Sequence, residues 1–312
     1  MPTRDGQDRD PRVAARAQLT SAESAGVLEL TSAATAADGV APLSEHVMLH
    51  LRYGGDGQAR DLLLHQGETI AGYAHLDPPS PGEGPSGELV IHPRYRNQGL
   101  GLALTRALVA EAGGQPLRVW AHGDRPAAGR LAAAAGFELA RSLWQMRRPL
   151  ADEIAPPKLA DGIAIRPFEV GRDEGAWLAV NARAFAHHPE QGGWTLDDLK
   201  MREREPWFDP DGFFLAERDG RLVGFHWTKV HGEGTEPTGE VYVVGVDPGE
   251  QGTGLGRALT VIGLRHLRSR GLGQVMLYVD GTNTAAIRLY ESLGFSRWNT
   301  DVMFEHPGQP PG

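Results

Sequence analysis

The sequence predicts an α/β protein made of two copies of one unit in tandem. Three observations carry this reading. The chain has 312 residues, and domains of roughly 100–200 residues make that two rather than one. Three sequence blocks recur in the same order in both halves. Each half also carries a glycine-rich turn between a strand-like and a helix-like segment.

Composition narrows the function classes. With 40% hydrophobic residues, the chain has enough apolar matter for buried cores, so wholesale disorder is excluded. No apolar run reaches the ~20 residues of a membrane helix. A net charge of −9, from 31 basic and 40 acidic residues, offers no broad footprint for nucleic acid. The absence of cysteine removes disulfides, thiolate metal sites and cysteine nucleophiles. The first residues are charged and lack an apolar stretch, so they do not read as a secretory leader, and a cytoplasmic location is expected.

Boundaries follow from punctuation. Residues 1–20 are polar and irregular, and 306–312 read HPGQPPG, so both are expected to be disordered tails. Residues 151–162, with two adjacent prolines and no periodicity, read as a linker. This leaves an N-terminal domain at 21–150 and a C-terminal domain at 163–305. The repeat supports the division. LVIHPRYRNQGLGLAL (89–104) matches VGVDPGEQGTGLGRAL (244–259) at an offset of 155 (244 − 89). RLAAAAGF (130–137) matches RLYESLGF (288–295) at 158, and GETIAGYAHL (67–76) resembles GRLVGFHWTK (220–229) at 153.

Each copy predicts strand, strand, glycine turn, helix, strand, helix, strand. In the second copy, DGFFLAERDG and RLVGFHWTKV form an antiparallel pair through a polar turn. EVYVVGVDP is the next strand. RALTVIGLRHLRSRG is an amphipathic helix stopped by Gly271, with Leu259, Ile262, Leu264 and Leu267 near helical spacing. QVMLYVD is a strand, and NTAAIRLYESLG is a short helix closed by Gly294.

The turn QGTGLG (251–256) has backbone N–H groups without helical partners, and its glycines bare the backbone to a ligand. That suits a phosphate or pyrophosphate. A tight structural turn is the plainer reading. A P-loop is excluded, because Gly256 is followed by Arg257 and Ala258 instead of Lys-Ser/Thr. A dinucleotide fingerprint would need glycine where Leu259 stands.

The block from the strand through V-x-P and QGTGLG into a helix, followed by NTAAIRLYESLGF (283–295), resembles the GNAT superfamily of acetyl-CoA-dependent N-acetyltransferases. The strings ADGVAPLSE (37–45), HPEQGGWT (188–195), WFDPDGF (207–213), GFHWTKVH (224–231) and GEVYVVGVDP (239–248) are similar to a tandem-domain branch of it. That branch acetylates the cysteinyl amine of cysteinyl-glucosaminyl-inositol. The resemblance implies two tandem domains, each a mixed, mostly antiparallel sheet flanked by helices. It implies acetyl-CoA as cosubstrate, a small-molecule acceptor, no nucleic acid, no membrane, no metal, and a monomer.

It also implies site residues. For acetyl-CoA these are Val244, Gly245 and Val246 on the strand; Gln251, Gly252, Thr253, Gly254, Leu255, Gly256 and Arg257 in the turn; and Asn283, Thr284, Ala285, Ala286, Ile287 and Arg288 on the following helix. In the first copy the matching positions are Leu89, Val90 and Ile91, with Asn97, Gln98, Gly99, Leu100, Gly101 and Leu102. For the acceptor they are Glu45, Glu190, Lys229, Glu240 and Tyr278. Glu45 comes from the first half, which would put the acceptor site between domains. The family often has two arginines where Gly252 and Thr253 stand, so charge-assisted phosphate contacts are lost there.

Acetyl transfer needs a neutral amine, a held oxyanion and a protonated leaving thiolate. An α-amine has a pKa of roughly 7.7–8.0 and is largely protonated at neutral pH. Glu240 is the expected base, acting through a water. A backbone N–H near Val244 to Val246 is the expected oxyanion donor, and Tyr290 the expected acid toward a thiol of pKa about 8.5. At offset 155 Glu240 maps onto Pro85; at 158 Tyr290 maps onto Ala132 and Asn283 onto Arg125. The first copy therefore lacks the base, the acid and the Asn, and the second is the expected catalyst.

Plain alternatives stand beside each assignment. Within its motif Glu240 is read as catalytic ahead of the plain reading of an edge-strand surface carboxylate, whereas for Tyr290 the packing reading stands level. Trp144, Trp194 and Trp207 read as core or domain-interface aromatics. His187, His188 and His231 suggest a metal cluster, but with no helix presenting His at i and i+4 on one face, no metal is expected. An acetyltransferase for another amine and a non-catalytic acyl-CoA sensor remain the competing functions.

Overall fold

The computed structural model describes residues 12–55, 57–79, 84–232 and 237–308. Chain contacts divide it into two units, Met1–Ser142 with Thr300–Gly312, and Leu143–Asn299. Among the described residues no helix is long and apolar enough to cross a membrane.

The first unit begins with β1 (Arg12–Arg16), α1 (Ser21–Asp38), α2 (Glu45–Tyr53), β2 (Arg60–Gln66) and β3 (Thr69–Asp77). It continues with β4 (Ser86–Ile91), α3 (Leu100–Glu111), β5 (Leu117–Ala121), α4 (Pro126–Ala134) and the start of β6 (Glu138–Pro149). α1 starts from a capping box in which Thr20 accepts the N–H of Glu23 and Glu23 reaches back to Thr20, and it stops at Gly39 in the left-handed region. The sheet runs β1-β2-β3-β4-β5. Its inner pairs are antiparallel except β4 and β5, which are parallel.

The second unit holds β7 (Ile163–Pro167), α5 (Glu174–Ala184), α6 (Pro189–Gly192) and α7 (Leu196–Glu203), then β8 (Phe213–Arg218), β9 (Arg221–His231) and β10 (Thr238–Val246). α8 (Leu255–Ser269), β11 (Gln274–Asp280), α9 (Thr284–Ser292) and β12 (Ser296–His306) follow. β10 pairs β9 antiparallel and β11 parallel. α8 lays Leu259, Leu264 and Leu267, all fully buried, on one sheet face. Each such leucine stabilises the fold by about 1.5–3 kcal/mol relative to exposure. The other face is aromatic. Trp227 stacks on Phe213 at 4.4 Å and meets Trp177 edge-on at 5.8 Å. Trp194 and Trp207 join this cluster, whereas Trp144 packs with the aliphatic one.

The units differ from the expected domains at both ends of the division. Residues 143–149 of β6 pair antiparallel with β11 and complete the second unit's sheet, with Leu150 N–H bonded to Gly273. Residues 302–306 of β12 pair antiparallel with β5 and complete the first. Each copy's last strand thus lines the parallel-paired strand of the other copy. The segment 151–162 is irregular as expected, but it is not loose. Ile154 is buried in the core of the second unit and its carbonyl accepts from Arg265 at 3.2 Å.

The tails also need correction. Residues 12–16, expected to be disordered, form β1, because β2 would otherwise leave its outer edge unpaired. His306 ends β12, and its Nδ1 accepts the N–H of Gly308 at 3.1 Å. Residues 1–11 and 309–312 of the expected tails lie outside the described residues.

Candidate active site

The glycine turn of the second unit is shaped by local chemistry. The Asp247 carboxylate accepts the N–H of Gly249 at 3.0 Å and the Arg183 guanidinium at 2.8 Å, and these hold its pKa below the usual carboxylate range. Gly252 and Gly254 have φ of +79° and +86°, and a Cβ at either would meet nothing within 4 Å. The backbone there is both left-handed and open, which is the combination that glycine alone supplies without strain. α8 then begins at Leu255 with no side chain capping its first turn. Its first N–H groups point outward at the positive end of the helix dipole, a ready anion cradle. These residues fit the pyrophosphate of acetyl-CoA. Arg257 is exposed and bonded to the Ser292 hydroxyl at 2.6 Å.

The strand before the turn splits from its neighbour. β10 pairs β11 only over Gly239–Val241 against Val275–Leu277. A bulge at Tyr242 shifts its register with β9 between Val241 and Val243. A bulge adds one residue to one strand and bends it. Beyond it, the Asp247 N–H bonds Val223 of β9 at 2.8 Å. Strand alternation then turns the backbone of Val244 and Val246 the other way, toward the gap that β11 has vacated. These are the expected oxyanion-donor positions. Gly245 packs under Phe225, whose ring a Cβ would meet at 2.6 Å.

Glu240 lies just before the bulge, buried, directly opposite Lys229 of β9 and level with Met276 of β11. Side chains two apart share a face, so Glu240, Lys229 and Tyr278 lie on one side of the sheet. Lys229 is buried, with its ammonium 4.2 Å from the Trp207 ring centre and 5.0 Å from that of Tyr242. Tyr278 is exposed, and its hydroxyl accepts from Gln145 at 2.7 Å. Three of the five expected acceptor contacts are therefore gathered. Glu45 begins α2 in the first unit, and Glu190 lies on α6 with its side chain outside the described residues.

Tyr290 packs on the opposite face, in the aliphatic cluster with Val241, Leu277 and Val279, and edge-on to Phe295 at 5.8 Å. Burial pushes its hydroxyl up to about 12, so it stays protonated at neutral pH. Glu240 and Tyr290 thus sit on opposite faces, with the split between β10 and β11 running between them. Asn283 caps α9, its carbonyl accepting the Ala286 N–H at 3.1 Å. Leu255 and Ile287 turn their side chains into the core, Ala286 packs against it, and Thr284, Ala285 and Arg288 are exposed.

The sequence reading missed two features. His231 Nε2 lies 2.5 Å from Glu240 Oε2; the histidine stood out in the sequence only as a metal candidate. The bulge was legible as one extra residue in β10. β4 pairs β3 without a register shift, so positions before Tyr242 match at an offset of 154. The counterpart of Glu240 is therefore Ser86, not Pro85, and Val243 corresponds in the repeat to Glu88. Glu88 is buried and accepts the Ser44 N–H at 2.6 Å, with His122 at 3.7 Å.

In the first unit, α3 likewise starts without a side-chain cap after Gly99, at φ +80°. Asn97, at φ 62°, takes the place of Gly252, a conformation that Asn tolerates best among residues with side chains. Leu89, Val90, Ile91, Asn97, Gly99, Gly101 and Leu102 line a cavity of 570 Å³. The side chain of Leu100 is buried in the core, and that of Gln98 reaches the Arg94 carbonyl at 3.3 Å.

The sequence profile of the acetyltransferase (GNAT) family matches residues 34–137 and 181–295. The chain belongs to this family, whose fold generally uses acetyl-CoA. Two related chains share the name mycothiol acetyltransferase. That of Thermobispora bispora is 64% identical over 91% of this chain and 96% of its own length. That of Thermomonospora curvata is 61% identical over 94% and 96%. Among solved structures, a tandem GNAT protein from the clavulanic acid biosynthesis pathway superposes with a TM-score of 0.73 at 18% identity, covering 96% of this chain and all of that one. A GCN5-related N-acetyltransferase from Sphaerobacter thermophilus gives 0.64 at 25% identity, covering 96% and 98%. The tandem α/β architecture expected from the repeat is thereby established.

Proposed function

We propose that this chain transfers the acetyl group of acetyl-CoA to the cysteinyl amine of cysteinyl-glucosaminyl-inositol, giving mycothiol. The observation that carries the reading is near-full-length identity above 60% to chains named mycothiol acetyltransferase, combined with a second unit in which Glu240 and Tyr290 flank a split strand pair.

The cosubstrate supplies an acyl thioester. Glu240 takes the proton of the acceptor ammonium, directly or through water, so that the amine attacks as a neutral nucleophile. His231 holds the carboxylate in place and connects it to solvent. The N–H groups of Val244 and Val246 receive the charge that develops on the carbonyl oxygen. Tyr290 gives its proton to the departing sulfur. The ammonium gives one proton to Glu240 before attack and loses a second as the tetrahedral intermediate collapses; the second replaces the proton Tyr290 has given to sulfur, and the first passes from Glu240 to solvent as the net proton released. Lys229, Tyr278, Glu190 and Glu45 are assigned to the hydroxyl-rich acceptor. The cavity of the first unit supports a second, non-catalytic acetyl-CoA site.

The test is acetyl-CoA turnover with cysteinyl-glucosaminyl-inositol beside a panel of other amines, with product followed by mass because the acceptor carries its own thiol. An N-acetyl product formed fastest from this acceptor supports the reading. Faster acetylation of another amine, or coenzyme binding without turnover, overturns it.

A further inference from the structure

We propose that His46, His75 and Asp77 of the first unit form a binding site for one divalent transition-metal ion of the Zn2+ class. α2 presents His46 and His50 one helical turn apart, and so on one face. This is the i, i+4 pair that the sequence reading did not find. β3 presents Tyr73, His75 and Asp77 on one face, and Asp61 of β2 is the direct cross-strand partner of His75. The result is a row in which imidazoles and carboxylates alternate. His46 Nε2 lies 3.0 Å from Asp77 Oδ1, which lies 3.1 Å from His75 Nε2. His75 Nδ1 lies 3.0 Å from Asp61 Oδ1, and His50 Nε2 lies 3.3 Å from Asp61 Oδ2. The mechanism above uses none of these groups.

Three ligand atoms converge at one end of the row: the Nε2 atoms of His46 and His75 and an oxygen of Asp77, all within 4.8 Å of one another. Ligands about 2.0–2.2 Å from a tetrahedral zinc stand roughly 3.3 Å apart. The two imidazole–carboxylate separations lie within a few tenths of an ångström of this, and the two imidazoles, within 4.8 Å of each other, close on the ion by a shift of the outer side chains. The side chains of His46 and Asp77, 51% and 28% exposed, have room for it.

The other end of the row is what a metal-bound histidine needs behind it. His75 is fully buried, with Nδ1 3.0 Å from Asp61; when Nδ1 carries the proton and donates it there, the Nε2 lone pair is left for the ion. Asp61 is itself held by the Tyr73 hydroxyl at 2.6 Å. A carboxylate behind the imidazole fixes its tautomer and raises its basicity as a ligand. Two imidazoles and a carboxylate suit zinc, iron(II) or cobalt(II), with a solvent-side position left for water. The same contacts arise in metal-free protein when His75 carries both ring protons and bridges the two carboxylates. The two states differ in whether Nε2 holds a proton or an ion.

The experiment is calorimetric titration of the chelator-treated full chain with ZnCl2, with CoCl2 absorption as a second readout. One equivalent of zinc, a rise in Tm on binding and visible cobalt bands are expected. Both Asp77→Asn and His46→Ala should abolish them; each is part-exposed, and circular dichroism of the metal-free variants checks the fold. Tyr73→Phe, which loosens Asp61, should weaken zinc about tenfold. Absence of zinc binding in the unsubstituted chain overturns the proposal. So does binding of equal affinity in Asp77→Asn and His46→Ala, which would place the ion on other histidines.

Discussion

The Nε2 of His231 lies 2.5 Å from the Oε2 of Glu240. The carboxylate side chain is 8% exposed and the imidazole 37%, so the histidine joins a buried carboxylate to solvent. Glu240→Gln keeps the shape and removes the basicity. A fall in kcat/KM of about 10²–10⁴ is expected, with acetyl-CoA affinity by calorimetry within twofold. His231→Asn should lower kcat/KM, as read by steady-state kinetics, and spare acetyl-CoA binding.

Tyr290→Phe deletes one hydroxyl from a core that keeps its edge-on Phe295 contact. The melting temperature should change little, while kcat falls about 10²-fold through loss of the acid. Steady-state kinetics together with a thermal melt separate the two effects. A kcat equal to that of the unsubstituted chain would leave Tyr290 a packing residue.

The cradle at α8 depends on backbone, not on side-chain charge. Gly254→Val places a β-branched residue at φ +86°, a true outlier, and covers the first-turn N–H groups. Acetyl-CoA affinity of the second unit should drop at least tenfold, as read by titration.

Gly263 of α8 faces the ring of His226, and a Cβ there would meet Cε1 at 2.0 Å. His226 is fully buried and donates Nδ1–H to the Leu259 carbonyl at 2.7 Å, so it has little room to retreat. Gly263→Ala should cost about 1–3 kcal/mol, measured by urea unfolding.

Two buried histidines should give opposite pH slopes to stability. Burial pushes His226 down to about 4. Its folded pKa lies below the unfolded ~6.5, so its contribution is full above 6.5 and is lost as pH falls toward 4. Burial also opposes a charge on His122, but the hydrogen bond from its Nδ1 to Asp301 at 2.9 Å and the carboxylate charge of Glu88 at 3.7 Å outweigh it and push the group up to about 10. That contribution is full below ~6.5 and is lost as pH rises toward 10. Melts of His226→Leu should flatten the acid side of the stability curve, and melts of His122→Gln the alkaline side.

The sequence alone determined what local chemistry determines. The repeat, the glycine turns and the helix after each one were legible, because a left-handed glycine, an uncapped helix start and a 3.6-residue apolar period are encoded within a few neighbouring residues. Glu240 and Tyr290 were reached through the motif that surrounds them. Only the tertiary structure decided which strand completes each sheet. Residues 143–149 pair with β11, and residues 302–306 pair with β5. An edge strand's choice among equivalent partners leaves no trace in its own pattern. The same holds for His231 against Glu240, and for the row from His46 to His50. Their members come from separate strands and helices, and it is strand register, set by a single bulge or cross-strand pair, that brings them within hydrogen-bonding distance.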